Sequence, residues 1–402
     1  MNETSQNLRI TIDTFTQTAQ FDALIDTCKA ALADARNRSD KSTEVIALMG
    51  LAIGHQFVGK FKDARILVNG ALNLAEALQD GHLIARTALS SGDIYLKTEF
   101  KGYDAEQDFR RALKIANDLE HADLIAEALC GLAASYLQMD DSARAQRYAR
   151  QALNNARDAS NRYHMGIALT ILGSTATKAQ PEKAMQAFED AMAIAKQDNF
   201  RLMELRLIGQ IGYLLSREER YADEGQLMLE KAYVMAQDFA SVPDEFRAMN
   251  RLGRALEGQE ALERAAQYYS TMLEQAQLWD AHAYEGIAFF NLGILAYNRK
   301  HYDDAILNFE QALTIARQTK NPFQEAQTEQ VIGSCYLNQN QFEPALDHYM
   351  AARSIYDALD NDVMRNTMLQ RIIVTYFQRL FIKVMRFLGV APSNDSDTDI
   401  SD

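Results

Sequence analysis

Along most of the chain apolar residues recur every three to four positions, in helix-length runs separated by short polar breaks, and no stretch alternates in the manner of a strand. Aligned on that rhythm, one phrase returns: a small residue, an aromatic, an acidic or polar residue, alanine, an aromatic or aliphatic residue, then alanine-leucine. Its clearest copies run from Asn291 to Ala316 and from Val331 to Tyr356, and the same frame fits around Ala64 and Ala145. Three positions of each unit call for small side chains. The first, in the earlier helix of a pair, reads Ala52, Gly92, Ala133, Gly173, Gly212, Gly253, Gly293 and Gly333. The second, opening the later helix, reads Ala64, Ala105, Ala145, Ala184, Gly225, Ala265, Ala305 and Ala345. The third, seven residues on, reads Ala71, Ala112, Ala152, Ala191, Ala232, Met272, Ala312 and Ala352. Of these 24 places 23 hold alanine or glycine at spacings of 39 to 41 residues, a regularity that establishes an internal repeat.

Small residues let two antiparallel helices approach to about 8–10 Å, while bulkier neighbours such as Leu292, Phe309 and Leu313 fill the space beside them. A single pair cannot bury its apolar face, but stacked pairs share a continuous core. The segment from Gln20 to Ala35 matches the second helix of such a pair, with Phe21, Ala31 and Leu32 in register. The expected organisation is therefore a degenerate first unit over 1–42 with its start frayed before about Ser5, eight repeats over 43–362, a helix over 363–390, and an acidic tail over 391–402 whose composition is that of disorder.

This pattern resembles the tetratricopeptide-repeat family, whose consensus runs small or Leu-Gly, Tyr, then aromatic, Ala, Phe or Tyr, and Ala-Leu. The last two repeats are the most faithful. Two departures matter: the family's usual period is about 34 residues, against about 40 here, and the proline that closes the consensus repeat is missing, since Pro344 falls elsewhere in its unit. The longer period is similar to that of kinesin light chains, Leu-Gly-Asn-repeat adaptors and bacterial signalling proteins. The resemblance implies an all-α, right-handed superhelical solenoid of nine helix pairs, with helices of about 16–18 residues making a wall roughly 25 Å tall.

Composition agrees with helix, since the 402 residues include only 5 prolines and 19 glycines. A net charge of −14 repels phosphate backbones, so nucleic acid is not the expected partner. Cys28, Cys130 and Cys335 stand far apart with no CxxC spacing, which suits buried packing in a reducing compartment. The polar N-terminus lacks the apolar core of a secretory signal and no run of about 18 uncharged apolar residues occurs, so the expected location is the cytoplasm.

Catalytic constellations are missing from the sequence. The nearest approach to a phosphate loop, GHQFVGKF from Gly54, has Phe61 where a metal-binding hydroxyl is needed and no strand before it. The seven histidines have no second histidine or cysteine at metal-ligand spacing, and His82, His121 and His282 fall near repeat junctions. Acid pairs such as Asp140–Asp141 and Asp303–Asp304 open second helices, where they complement the helix N-terminus. Trp279 ends a second helix and reads as a junction residue. No enzyme activity, cofactor or metal is expected.

The family's geometry places groove-facing side chains one and four residues after the first small position and three and six before it. In the fifth and sixth repeats that selects Arg206, Arg247, Asn250 and Arg254, with Arg217 near the turn, and the last two repeats offer Asn298, Gln330, Ser334 and Asn338 beside Phe290 and Tyr297. Arginine and asparagine can grip a peptide's carboxylates and amides. The 363–390 segment carries Arg371, Arg379, Lys383 and Arg386 as a basic stripe on an otherwise apolar helix. That helix either caps the array or lies against an anionic membrane or a partner. The expected function is a non-catalytic scaffold or adaptor holding a partner peptide or helix in the concave groove. The alternatives are a regulatory sensor of a peptide or small effector, and a peripheral membrane adaptor.

Overall fold

The computed structural model describes residues 2–388, so the tail expected over 391–402 lies outside the described residues. The chain opens with α1 (Glu3–Gln17) and α2 (Phe21–Asn37). Next come α3 (Lys41–Phe57) with α4 (Phe61–Leu78), α5 (Gly81–Ile94) with α6 (Gly102–Asp118), and α7 (Ala122–Gln138) with α8 (Ser142–Asp158). The series continues through α9 (Arg162–Ala176), α10 (Pro181–Gln197), α11 (Arg201–Leu215), α12 (Ala222–Asp238), α13 (Val242–Gly258) and α14 (Leu262–Leu278). It ends with α15 (His282–Asn298), α16 (Tyr302–Gln318), α17 (Pro322–Asn338), α18 (Phe342–Ala358) and the longer α19 (Asp362–Phe387). No strand occurs among the described residues, and the fold is an all-α solenoid of helix pairs. It forms two compact units, one ending at Ala288 and one beginning at Phe289.

The helices stop on a regular beat. Ala19, Ser39, Gln79, Phe100, Glu120, Asp140, Ser160 and Asn199, and onward to Asp360, hold left-handed backbone with φ near +50 to +60° at almost every helix end. Each such residue lets the next amide reach back to a carbonyl of the last turn, as in Gln20 N–H to Phe15 O at 2.8 Å and Asp40 N–H to Ala35 O at 2.8 Å. Glycine is the usual residue there, yet Gly59, at φ +79°, is the only positive-φ glycine among the described residues. That is why the sequence carries so few glycine stops. Gly59 also belongs to the phosphate-loop look-alike, which spans the end of α3 and the turn into α4.

At several of the first positions glycine meets an aromatic ring. A Cβ on Gly293 would lie 2.5 Å from the Phe309 ring, one on Gly253 2.4 Å from Tyr269, one on Gly173 2.5 Å from Phe188 and one on Gly333 2.9 Å from Tyr349. The rings belong to the second helix of the same pair, so the small residue and the aromatic form a knob and socket inside those units; at Gly212 the neighbours are the Gly225 carbonyl and Met228 instead. Gly225, where other repeats have alanine, sits against the backbone of the neighbouring helix: a Cβ there would be 2.3 Å from the Ser216 amide nitrogen. Met272, the exception at the third position, is buried with Phe246 and Tyr284. The three cysteines are buried, as packing predicts.

Candidate functional site

In the first unit the inner wall closes on itself. Beyond their sequence neighbours, α1 touches α11, and α3 touches α13. Leu202 of α11 packs with Phe21 and Phe57, whose rings stack at 4.0 Å. Trp279 lies on Gly59, its ring 2.8 Å from where a Cβ would stand, a contact between distant repeats and not one at the junction of its own. The fully buried Tyr284 donates its hydroxyl to the Lys97 carbonyl at 2.7 Å and meets the Phe100 ring edge-on at 5.0 Å. Lys97 lies on a π-helical turn, Tyr95–Glu99, that extends α5. Such wide turns frequently mark functional sites.

The closure leaves a cavity of about 300 Å³ where an open groove was expected. Apolar side chains including Ile53, Phe57, Leu89, Leu96, Ile167 and Ile171 form part of its wall. Six acidic or basic side chains share the lining with them: Asp13, Asp93, Lys97, Glu127, His164 and Arg206. Their partners differ. Asp13 takes Arg9 at 3.1 Å, and Asp93 pairs with Lys97. Arg206 grips Asp244 with two bonds, of 2.9 and 3.1 Å, and Arg247 reaches the same carboxylate at 2.8 Å. Asp244, 2% exposed, also accepts from the Ser241 hydroxyl at 2.7 Å. Although burial opposes its charge, the two guanidiniums hold its carboxyl well below the usual carboxylate range.

On the others burial is the largest influence, and the charges around them act in opposing directions. Burial pushes the Glu127 carboxyl up to about 7 and the His164 imidazole down to about 4, so the histidine is neutral at physiological pH. The Tyr163 hydroxyl, pushed to about 12, stays protonated. Arg251, just behind, is pushed down to about 10 by burial and by the charge of Arg247.

The structure divides the residues singled out in the sequence. Arg206 and Arg247 come together, but on this chain's own Asp244; Arg254 lies over the Tyr213 ring at 5.1 Å, Asn250 is engaged within the chain, and Arg217 is exposed in the turn after α11. In the second unit Asn338 donates to the Tyr297 hydroxyl at 2.9 Å. Ser334 donates to the Gln330 carbonyl at 3.0 Å and receives Arg371 at 3.3 Å, while Asn298 is exposed. Asp13, Asp93, Lys97, Glu127 and His164 were missed. The groove-facing offsets find two of them once carried upstream: Glu127 lies six residues before Ala133, and Asp93 one after Gly92.

On α19 the basic stripe and the apolar face point in opposite directions. Met368, Ile372 and Thr375 are buried, on the side that faces α18. Arg371 and Arg379 share that side, the first over the Tyr349 ring at 5.9 Å and the second paired with Glu343; Lys383 is exposed beyond them and Arg386 is engaged within the chain. Phe377, Leu380 and Phe381, each about 60% exposed, face away. No helix among the described residues is long and apolar enough to cross a membrane.

A model described as tetratricopeptide repeat matches residues 284–358. No curated protein matches the chain in sequence. Among solved structures it has the fold of the Rap conjugation gene regulator of the plasmid pLS20, crystallised with a Phr peptide: identity is 13% over 86% of this chain and 98% of that one, with a TM-score of 0.55. A Rap protein complexed with competence and sporulation factor matches at 14% identity, 94% and 99% coverage and a TM-score of 0.48. The apo quorum sensor NprR from B. thuringiensis matches at 12%, 85% and 98%, with 0.46.

Proposed function

This chain belongs to the tetratricopeptide-repeat family, and we propose from that premise that it is a regulatory receptor: a short peptide enters the cavity of the first unit and thereby sets how the solenoid engages a protein partner. One observation carries the reading. The inner wall, which in an open array offers a long surface, here encloses about 300 Å³ walled by apolar and ionisable side chains. That is the low end of the range for sites that surround a small ligand, roughly 300–1,000 Å³, and too little for a partner helix. The interior therefore suits an effector better than a scaffolded protein, and the sensor reading takes precedence over the adaptor. The fold shared with a regulator crystallised with a peptide is consistent with this.

Closure supplies the coupling. Tyr284 and Trp279 touch the turns around Lys97 and Gly59, so a ligand that spreads the inner helices must loosen those contacts. Such a ligand shifts the balance between closed and open solenoids by its differential affinity for them. Cavity-filling replacements test the reading. Ala134 and Thr170 line the cavity, and a pool of short peptide amides is expected to raise the melting temperature of the intact chain but not of A134F or T170F. Equal stabilisation of all three would refute it.

A further inference from the structure

The charges that line the cavity balance, with one exception. Asp13 has Arg9, Asp93 has Lys97, and Arg206 has Asp244. His164 is neutral. Glu127 is partly buried on the cavity wall, and makes no hydrogen bond or ion pair among the described residues. The surface it does expose is the cavity's own. Arg9 and Lys97 act on that carboxylate only at a distance, since each is bonded to another acid, and a buried charge is stabilised best by a partner in direct contact. The remaining wall offers no cation to spare, since Lys97 and Arg206 are already committed.

We infer that Glu127 is the docking point for the ammonium group of the peptide that the cavity takes, with the apolar body of that ligand against Leu89, Ile167 and Ile171. This deepens the receptor reading and rests on it. Charge sets the sign: a cationic ligand completes the balance, whereas a carboxylate would add a second unpaired anion beside Glu127. Shape favours ammonium over guanidinium. A guanidinium presents a planar fork of donors that needs several acceptors, while an ammonium is a compact charge that one carboxylate can hold. A free N-terminus on an apolar first residue has that chemistry.

Acidity gives a second signature. Arg9 and Asp13 on α1, Asp93 on α5, Lys97 on the π-helical turn, Asp123 on α7 itself, His164 on α9 and Arg206 on α11 make up the charged and titratable surroundings. Their opposing effects leave burial as the largest influence, and Glu127 titrates at about 7. Below that pH a proton competes with the ammonium, so affinity falls as the solution is acidified.

Leucyl-phenylalaninamide, with a free ammonium, and its N-acetylated form, without one, separate the possibilities by calorimetry on the full chain. The free amine is expected to bind at least about tenfold more tightly. E127Q is expected to erase that preference while still binding the acetylated form, an outcome that a purely structural glutamate would not give. Equal binding of the two forms by the intact chain overturns the ammonium site and leaves the receptor reading standing. Failure of both forms to bind overturns the two together. A preference that survives in E127Q places the ammonium elsewhere and also overturns the assignment.

Discussion

Two glutamates on inner helices, one in each unit, show how differently the same scaffold treats charge. Glu329 on α17 is 3% exposed, and both of its oxygens are answered, one by Arg317 at 2.7 Å and the other by His348 at 2.5 Å. Glu127 on α7 is partly buried on the cavity wall and has no such answer among the described residues. The second unit also holds the most regular repeats and most of the segment matched by the family model, 284–358. The first departs from regularity with a π-helical turn, Gly225 and the clustered interior charges. Regular repeats solve the packing problem alone; where a repeat protein breaks its own rules, function is the physical reason to look for.

Several substitutions test that contrast. The largest effect belongs to Asp244→Ala, which strands Arg206 and Arg247 in the interior of the first unit. It is expected to cost about 3–5 kcal/mol in urea unfolding. Glu329→Ala breaks a pair of the same form, but Arg317 is over half exposed and water can take over its charge, so the expected loss is about 1–2 kcal/mol. If the two losses are equal, the units do not differ in the way described.

Replacing each glutamate by glutamine reverses the sign between units. Glu329→Gln loses the Arg317 ion pair and weakens the bond to His348, and should destabilise. Glu127→Gln removes a charge that the fold disfavours and should stabilise, by about 1–3 kcal/mol at about pH 8. The pH window follows from the raised carboxyl. Between its unfolded value of 4.5 and about 7 the folded chain retains a proton that the unfolded chain has released. Stability therefore falls as pH rises through that interval, and the gain from glutamine is full above it and gone below it. Melting curves at the two ends of the interval check this.

Smaller still is Tyr284→Phe, which leaves the Lys97 carbonyl without its donor and should cost about 1 kcal/mol, read as faster amide exchange in α5. Lys383→Glu, on an exposed position of α19, should change stability by no more than about 0.5 kcal/mol.

The sequence made the repeats legible because each rests on local spacing. A small residue, a ring sixteen residues later such as Phe309 after Gly293, and a polar turn repeat with the helix period itself. Interior closure was not legible, for it depends on surfaces far apart in the chain: Trp279 on Gly59, Tyr284 on Lys97. No periodicity encodes such a meeting. The candidate site was legible in part. Arg206 emerged from the offsets and lines the cavity, but what the arginine grips was misjudged, because Asp244 sits in the first turn of α13 and reads locally as a helix-start acid. Glu127 falls on the same offsets, six residues before Ala133.

The closure has a consequence in time. An ordinary repeat array can fold as it leaves the ribosome, each pair settling on the one before. Here the contacts that seal the interior wait for Trp279 and Tyr284, so while two-thirds of the protein is being made its ionisable wall faces open water. Glu127 is then an ordinary hydrated carboxylate, and acquires its unusual acidity only when the last helices of the first unit arrive. The newborn chain thus passes through a period when the interior is accessible without any opening motion, and an effector present at that moment would be enclosed as the protein finishes folding.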